Sequence, residues 1–123
     1  MSKKIALNLW NRDFQLKVVY DCFAGEEILD EQVAALESFA DADTSKSLDQ
    51  VKKYCLKENG NQIGDRVDNI FKYVIPHTIY VPRKQKKPTV AILCNYKFDL
   101  EHGIAIVFEG AKIAEICNPD VIL

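Results

Sequence analysis

The alternation of apolar and polar residues is clearest in the C-terminal third of the chain, where it predicts a hairpin. Every second residue of Val90–Phe98 is aliphatic, aromatic or a cysteine, and Ile104–Phe108 continues this period. Successive side chains of a strand point to opposite faces of a sheet, so the period predicts two strands. The polar segment Asp99–Gly103 joins them, and Lys112–Ile116 adds a third strand to the meander. Apolar residues on both faces of Ile104–Phe108 predict a central strand, and Gly103 stands where a positive φ or a bulge is often needed.

The first part of the chain shows the same period. It predicts strands over Lys4–Trp10 and Phe14–Phe23, joined by the short polar turn Asn11–Asp13. Trp10 then stands at a strand end, where we expect a structural anchor or, if the indole is exposed, part of a binding surface. A further short strand is predicted over Thr78–Val81, and Pro82 ends it.

The middle of the chain changes to a helical period. A first helix is predicted from Asp30 as N-cap, and its apolar stripe contains Leu29, Val33, Leu36, Phe39 and Ala40. A second helix is predicted from Ser47, which has capping-box spacing to Gln50, as far as Gly60, and a third over Asp65–Tyr73. The predicted fold is therefore a single α+β domain over residues 1–123: an antiparallel sheet of about five or six strands with two or three helices packed on one face.

Composition narrows the class of protein. The 123 residues include 16 basic and 18 acidic side chains, and this balance argues against a dedicated nucleic-acid binder. Neither a signal sequence nor a membrane-length apolar stretch is present, so we expect a cytoplasmic protein that does not bind membranes. The four cysteines are far apart and without metal-ligand spacing, which predicts reduced thiols and no metal site. Nucleotide-binding and nucleophile motifs are absent as well, so no cofactor is expected.

The polar cluster Asp99, Glu101 and His102 leaves three interpretations open. With His77, the carboxylate of Glu101 and the imidazole of His102 could serve a small metal-assisted enzyme. Alternatively, Asp99 caps the loop by accepting backbone hydrogen bonds while Glu101 is solvated. The third interpretation is that this loop recognises a partner. A separate basic run, residues 83–87, could bind RNA or an acidic partner weakly, or be a solvated loop.

The C-terminal segment, residues 75–123, also resembles a known family. The resemblance lies in the Pro76–Arg83 segment, the apolar strand ending in Asn95-Tyr96, the Asp-x-Glu-His-Gly turn at residues 99–103, the next apolar strand and the terminal Asp-Val-Ile-Leu. These features resemble a bacterial family known only as a domain of unknown function. Relatives of such domains occur with polymorphic-toxin immunity proteins. The resemblance therefore implies an immunity or accessory protein that binds a partner, and it implies no catalytic residue.

These observations together predict a small intracellular protein that binds a partner and is not an enzyme. An immunity-type inhibitor of a toxin is the specific form that the resemblance implies. The candidate contact residues are Asp99, Glu101, His102 and Trp10, with the acidic segment Asp41–Asp43 as a further contact.

Overall fold

The computed structural model describes residues 3–22, 27–40, 44–83, 87–110 and 112–119. The described residues form one six-stranded sheet whose strand order follows the order of the chain. In sequence, the elements are β1 (Lys3–Leu9), β2 (Arg12–Tyr20), α1 (Asp30–Ala40), α2 (Ser45–Ile63), a 3₁₀ turn (Ile70–Lys72), β3 (Val74–Val81), β4 (Thr89–Tyr96), β5 (Ile104–Glu109) and β6 (Lys112–Cys117). The predicted α+β class and the predicted meander β4–β5–β6 are confirmed. The acidic segment 41–43, most of the basic run (residues 84–86) and the terminal residues 120–123 lie outside the described residues.

One pair of neighbouring strands departs from the antiparallel pattern. β2 and β3 are parallel, with Val18 opposite Ile79 and Tyr20 opposite Val81, whereas every other neighbouring pair is antiparallel. Parallel neighbours need a long crossover, and α1 and α2 lie in the connection between these two strands. The crossover thus carries both helices to the same face of the sheet.

The main core lies between that face and the helices. The predicted inner face of β4 is confirmed, since Val90, Ile92, Cys94 and Tyr96 are buried. They share a cluster with Phe39 of α1 and with Val51 and Cys55 of α2, and the ring of Phe39 meets that of Phe108 edge-on at 5.1 Å. Burying such side chains is the main favourable contribution to folding, roughly 1.5–3 kcal/mol for each large one.

The opposite face of the sheet carries a smaller cluster made of strand residues. Tyr80, Ala91 and Val107 are buried there, on β3, β4 and β5. Since Val107 belongs to β5 and its neighbours Ile106 and Phe108 are buried in the main core, β5 is covered on both faces, as predicted for a central strand. Burial raises the pKa of Tyr80 to about 12, and the nearby carboxylate of Asp21 acts in the same direction.

The buried face of α1 differs from the predicted stripe. Val33 was expected in the core, but its side chain is 41% exposed. The helix instead buries Gln32, Ala35, Leu36 and Phe39, which follow the spacing i, i+3, i+4, i+7. Leu36 and Phe39 are buried as predicted, but the place of Val33 was wrong because the prediction looked for apolar residues alone, whereas a fully buried glutamine occupies the first position of this face.

Gln32 joins the start of α1 to the ends of β2 and β3. Its side-chain amide donates to the carbonyl oxygens of Asp21 and Val81, each at 3.1 Å, and its Oε1 accepts from the backbone N–H of Leu29 at 2.9 Å. A buried polar side chain is tolerated only where its hydrogen bonds are made. These bonds satisfy backbone groups where the parallel pair of strands ends, and Gln32 is therefore a structural residue of the crossover.

The second helix is longer than predicted. It begins at Ser45, with Thr44 as N-cap, so Ser47 is not the cap that the capping-box spacing suggested. It continues past Gly60 to Ile63, with a kink at Asn59, and ends at Gly64. A glycine within a helical period costs only about 1 kcal/mol relative to alanine, which is too little to end a well-packed helix.

The predicted third helix over Asp65–Tyr73 is wrong, because this segment contains only the 3₁₀ turn. The side chain of Asn69 accepts a hydrogen bond from the N–H of Phe71, and such local bonds compete with helix formation. Extended structure then begins earlier than predicted, at Val74, and includes Pro76. The register between β3 and β4 shifts between Pro76 and Thr78, so the proline lies at an irregularity where its missing N–H is tolerated.

Candidate functional site

The strand directions bring the candidate residues to one end of the sheet. β1 ends and β2 begins at the turn Trp10–Asn11, and β4 ends and β5 begins at the loop Lys97–Gly103. Because β3 is parallel to β2 and antiparallel to β4, both connections lie at the same end. We call this end, formed by residues 10–11, the 3₁₀ turn and residues 97–103, the loop end. It contains all four residues that the sequence nominated for partner contact: Trp10, Asp99, Glu101 and His102.

Asp99 organises the loop between β4 and β5. Its Oδ1 accepts from the backbone N–H of His102 at 3.2 Å and lies 3.1 Å from His102 Nδ1. Its carbonyl oxygen accepts from the N–H of Gly103 at 2.8 Å. This is the predicted capping by Asp99, which holds a short loop in one shape. Gly103 has the expected positive φ, 77°, and a Cβ there would overlap the carbonyl oxygen of Cys94.

The tip of this loop points an apolar side chain outward. Leu100 is 77% exposed, and it is the most exposed of the large hydrophobic residues that the structure describes. Glu101 and His102 beside it are also exposed. Because the bonds of Asp99 fix the backbone around them, these three neighbouring side chains form a small, preorganised surface of mixed chemistry.

Aromatic rings support the base of the loop. Phe98 stacks on Tyr73 at 5.7 Å and meets Tyr96 edge-on at 5.6 Å, while the ammonium of Lys97 lies within 6 Å of the Tyr73 and Phe98 rings. The hydroxyl of Tyr96 donates to Asn59 Oδ1, at the kink of α2, over 2.6 Å. Burial raises the pKa of Tyr96, which keeps that hydroxyl protonated as a donor. The loop is therefore mounted on the core and on α2.

Trp10 lies in the turn itself and not at the end of a strand. Leu9 pairs with Arg12, so the turn has two residues, and Trp10 and Asn11 both have positive φ, 56° and 66°. Positive φ at both positions defines the type I′ hairpin turn. A bulky residue in this conformation is uncommon and costs about 1–2 kcal/mol.

Contacts of the indole offset this cost. The Trp10 side chain is only 8% exposed, its Nε1 donates to Ser47 Oγ at 2.9 Å, and its ring lies 5.8 Å from that of Phe71. The hydroxyl of Ser47 in turn donates to the carbonyl oxygen of Thr44. Trp10 thus anchors the first hairpin to the start of α2, as predicted for a structural role, and of the four candidates it offers a partner the least surface. The guanidinium of Arg12 covers the outer side of this cluster, 5.1 Å from the Phe71 ring centre.

A small open cavity lies beside Trp10. Its volume is about 260 Å³, just below the roughly 300–1,000 Å³ of typical small-molecule sites. It is lined by Asn8, Trp10, Asn11, Thr44, Ser45 and Leu48. Amides, hydroxyls and apolar groups alternate around it, so its chemistry favours no one class of ligand.

The residues of the metal hypothesis are not brought together. In the described parts of the chain, no group of three or more histidine, cysteine or carboxylate side chains is placed to hold a metal ion. The Nδ1 of His77 instead lies 2.7 Å from the hydroxyl of its neighbour Thr78, while His102 is paired with Asp99. The alternative enzyme built on His77, Glu101 and His102 thus lacks its assembled ligand set.

The cysteines are free thiols in the structure. Cys55 and Cys94 are buried, whereas Cys22 and Cys117 are half-buried. Burial raises the pKa of the Cys55 and Cys94 thiols, which keeps them protonated and unreactive. They fill the core as small apolar side chains, as predicted. Of the basic run, Arg83 donates to the carbonyl oxygen of Glu27 at 3.0 Å, and Lys87 pairs weakly with Glu109 at 3.8 Å.

Comparison with known proteins places this α+β domain in a family. The model of the family described as "Domain of unknown function (DUF6985)" matches residues 1–123, and the chain belongs to that family. The match is consistent with the sequence resemblance to a domain of unknown function, and it covers the whole chain, whereas the sequence motifs covered only residues 75–123. No curated protein and no solved structure matches the chain. None of the described helices is long and apolar enough to cross a membrane.

Proposed function

We propose that this protein is a non-enzymatic partner-binding module that contacts another protein through the loop Lys97–Gly103. The observation that carries the proposal is Leu100, an apolar side chain exposed at the tip of a loop that Asp99 holds in place. A preorganised loop loses little conformational entropy on binding, so more of its contact energy is available for affinity.

The chemistry of the tip suits a protein surface. Leu100 can enter an apolar pocket of a partner, and the exposed Glu101 and His102 beside it can pair with polar groups around that pocket. Interfaces commonly have this arrangement of an apolar centre within a polar rim. The half-buried Phe98 and its ring neighbours hold the loop against the core, so the tip would meet a partner without rearranging.

The finer form of the proposal is an immunity-type protein, cytoplasmic and bacterial, that inhibits a toxin. It is supported by the resemblance of the Asp-x-Glu-His-Gly turn to the domain family described above. In this form, the Leu100 tip would occupy part of the toxin surface, and Glu101 would steer the loop toward a basic region.

Site-specific photocrosslinking in living cells of the source organism tests the proposal. A benzophenone amino acid replaces Leu100 in one variant and Val33 in the control, because Val33 is also apolar and partly exposed but lies on α1. We expect one dominant crosslinked protein from position 100 and not from position 33. Crosslinks of equal pattern from both positions, or none from position 100, would refute binding through the loop. Identification of a non-toxin partner would retain the binding module and reject the immunity form.

A further inference from the structure

The two edges of the sheet are protected differently. At the β6 edge, the register with β5 shifts between Val107 and Phe108, and Lys112 and Glu115 are exposed. Irregularities and charges of this kind keep an edge strand from pairing with other chains. The β1 edge has no register shift, since it pairs with β2 without interruption from Lys3 to Leu9, although it carries an exposed charge at Lys4. Among the described residues, no strand pairs with its outer side.

The backbone groups on that outer side belong to alternate residues. Leu9 and Arg12 close the two-residue turn, so they form a hydrogen-bonded pair, and in an antiparallel ladder such pairs recur at every second residue. Leu7 and Ile5 therefore bond to β2. It follows that the N–H and C=O groups of Lys4, Ala6 and Asn8 point away from the sheet.

We propose that the β1 edge binds the β1 edge of a second copy of this chain, antiparallel and in a register centred on Ala6. In this register Ala6 exchanges two hydrogen bonds with the second copy's Ala6 across a two-fold axis. Lys4 of each copy pairs in the same way with Asn8 of the other. All the outward backbone groups of Lys4, Ala6 and Asn8 are then satisfied at once.

The side chains favour this register over its neighbours. Each Lys4 faces the side-chain amide of Asn8 in the other copy. No two lysines are directly opposite each other, and such opposed like charges would destabilise the pair. On the inner face, Ile5 of each copy lies opposite Leu7 of the other. Both are only half-buried at this edge of the core, so pairing would complete their burial. A register centred on Leu7 places Lys4 opposite Trp10 of the hairpin turn, so the outward backbone groups of Lys4 stay unpaired.

The interface is small, so the dimer should be weak. An edge pairing over five residues falls below the roughly 1,200 Å² of a stable interface, which places the dissociation constant in the micromolar range or above. The inference is independent of the proposed function, because it uses the edge strand and not the loop at residues 97–103.

Sedimentation velocity over protein concentrations from about 1 µM to about 1 mM tests the dimer. Ala6→Pro is the informative variant. The N–H of Ala6 points outward, so its loss in proline removes no hydrogen bond to β2, but it removes both hydrogen bonds at the two-fold axis. We expect dimerisation about tenfold or more weaker in Ala6→Pro and unchanged in the control Ala6→Val, which keeps the N–H. A protein that remains monomeric throughout, or a dimer equally strong in Ala6→Pro, would overturn the proposal.

Amide hydrogen exchange of the unmodified protein gives a second readout that does not depend on any variant. The Ala6 amide should become more protected as the concentration rises, whereas the Ile5 amide, already bonded to β2, should not change. Equal concentration dependence at both amides, or none at Ala6, would also overturn the proposal.

Discussion

Two connections at the loop end of the sheet each reverse the chain between antiparallel strands, but different interactions stabilise them. The turn Trp10–Asn11 is short and carries both residues at positive φ, and it depends on the rest of the protein because its indole is held by Ser47 and Phe71. The loop Lys97–Gly103 supplies its own bonds through Asp99 and leaves Leu100 exposed. The contacts that hold the turn bury the indole of Trp10, whereas the bonds of Asp99 within the loop leave Leu100 exposed.

The largest effect should come from Gly103, where the self-contained loop re-enters the sheet. Gly103→Ala combines a positive φ with an overlap between the new Cβ and the Cys94 carbonyl oxygen, a backbone atom that cannot move aside. We expect the free energy of unfolding to fall by more than about 4 kcal/mol in urea titration. Gly110→Ala is the matched control, because Gly110 has φ 62° and open space around it. Its cost should be about 1–2 kcal/mol. Equal losses in both variants would show that the contact with Cys94 does not constrain the loop.

The next largest effect is expected when the buried side chain of Trp10 and the exposed side chain of Leu100 are each replaced by alanine. Trp10→Ala removes a buried indole and should lower the free energy of unfolding by about 3 kcal/mol. Leu100→Ala should change the free energy of unfolding by less than about 0.5 kcal/mol, because the Leu100 side chain buries little surface in the folded protein. Urea or thermal unfolding of the two variants measures both values. A similar loss in Leu100→Ala would mean that the loop tip is packed in solution, and the contrast between the two connections would fail.

A smaller loss than that of Trp10→Ala is expected at the capping residue of the loop. Asp99→Ala should cost about 1 kcal/mol, since it removes a half-exposed acceptor for the His102 N–H. Asp99→Asn keeps an oxygen acceptor for that N–H and should recover most of the stability. If the asparagine variant is as unstable as the alanine variant, the contact between the Asp99 carboxylate and His102 Nδ1 holds the loop, and capping of the backbone does not.

The local patterns of this sequence predicted its strands better than its helices. Strand alternation depends on which side chains face a core, and the predicted inner residues of β4 and β5 are buried, except Phe98, which lies beyond the end of β4 and is half-buried. The stripe of α1 was predicted only in part: Leu36 and Phe39 are buried, but Gln32 fills the core position expected for Val33. The helix predicted over residues 65–73 contains only a 3₁₀ turn, where Asn69 bonds locally to Phe71.

The candidate loop was readable in part. The Asp99-to-Gly103 motif contains the capping carboxylate and the glycine that its φ requires, and both roles follow from turn chemistry. The importance of Leu100 was not readable, because exposure depends on what surrounds a residue in space. The anchoring partner of Trp10 was likewise hidden, since Ser47 lies in another element and carried the pattern of a helix cap.

By itself, the sequence determined the strands, the central position of β5, the α+β class and the capped loop after β4, because these depend on periodicity and on bonds between residues close in the chain. Only the tertiary structure decided that β2 and β3 run parallel and that Gln32 belongs to the core. It also decided that Trp10 and Asp99 lie at the same end of the sheet and that β1 is an edge strand in the part of the chain that the structure describes. These features depend on contacts between residues distant in the chain, which local patterns do not encode.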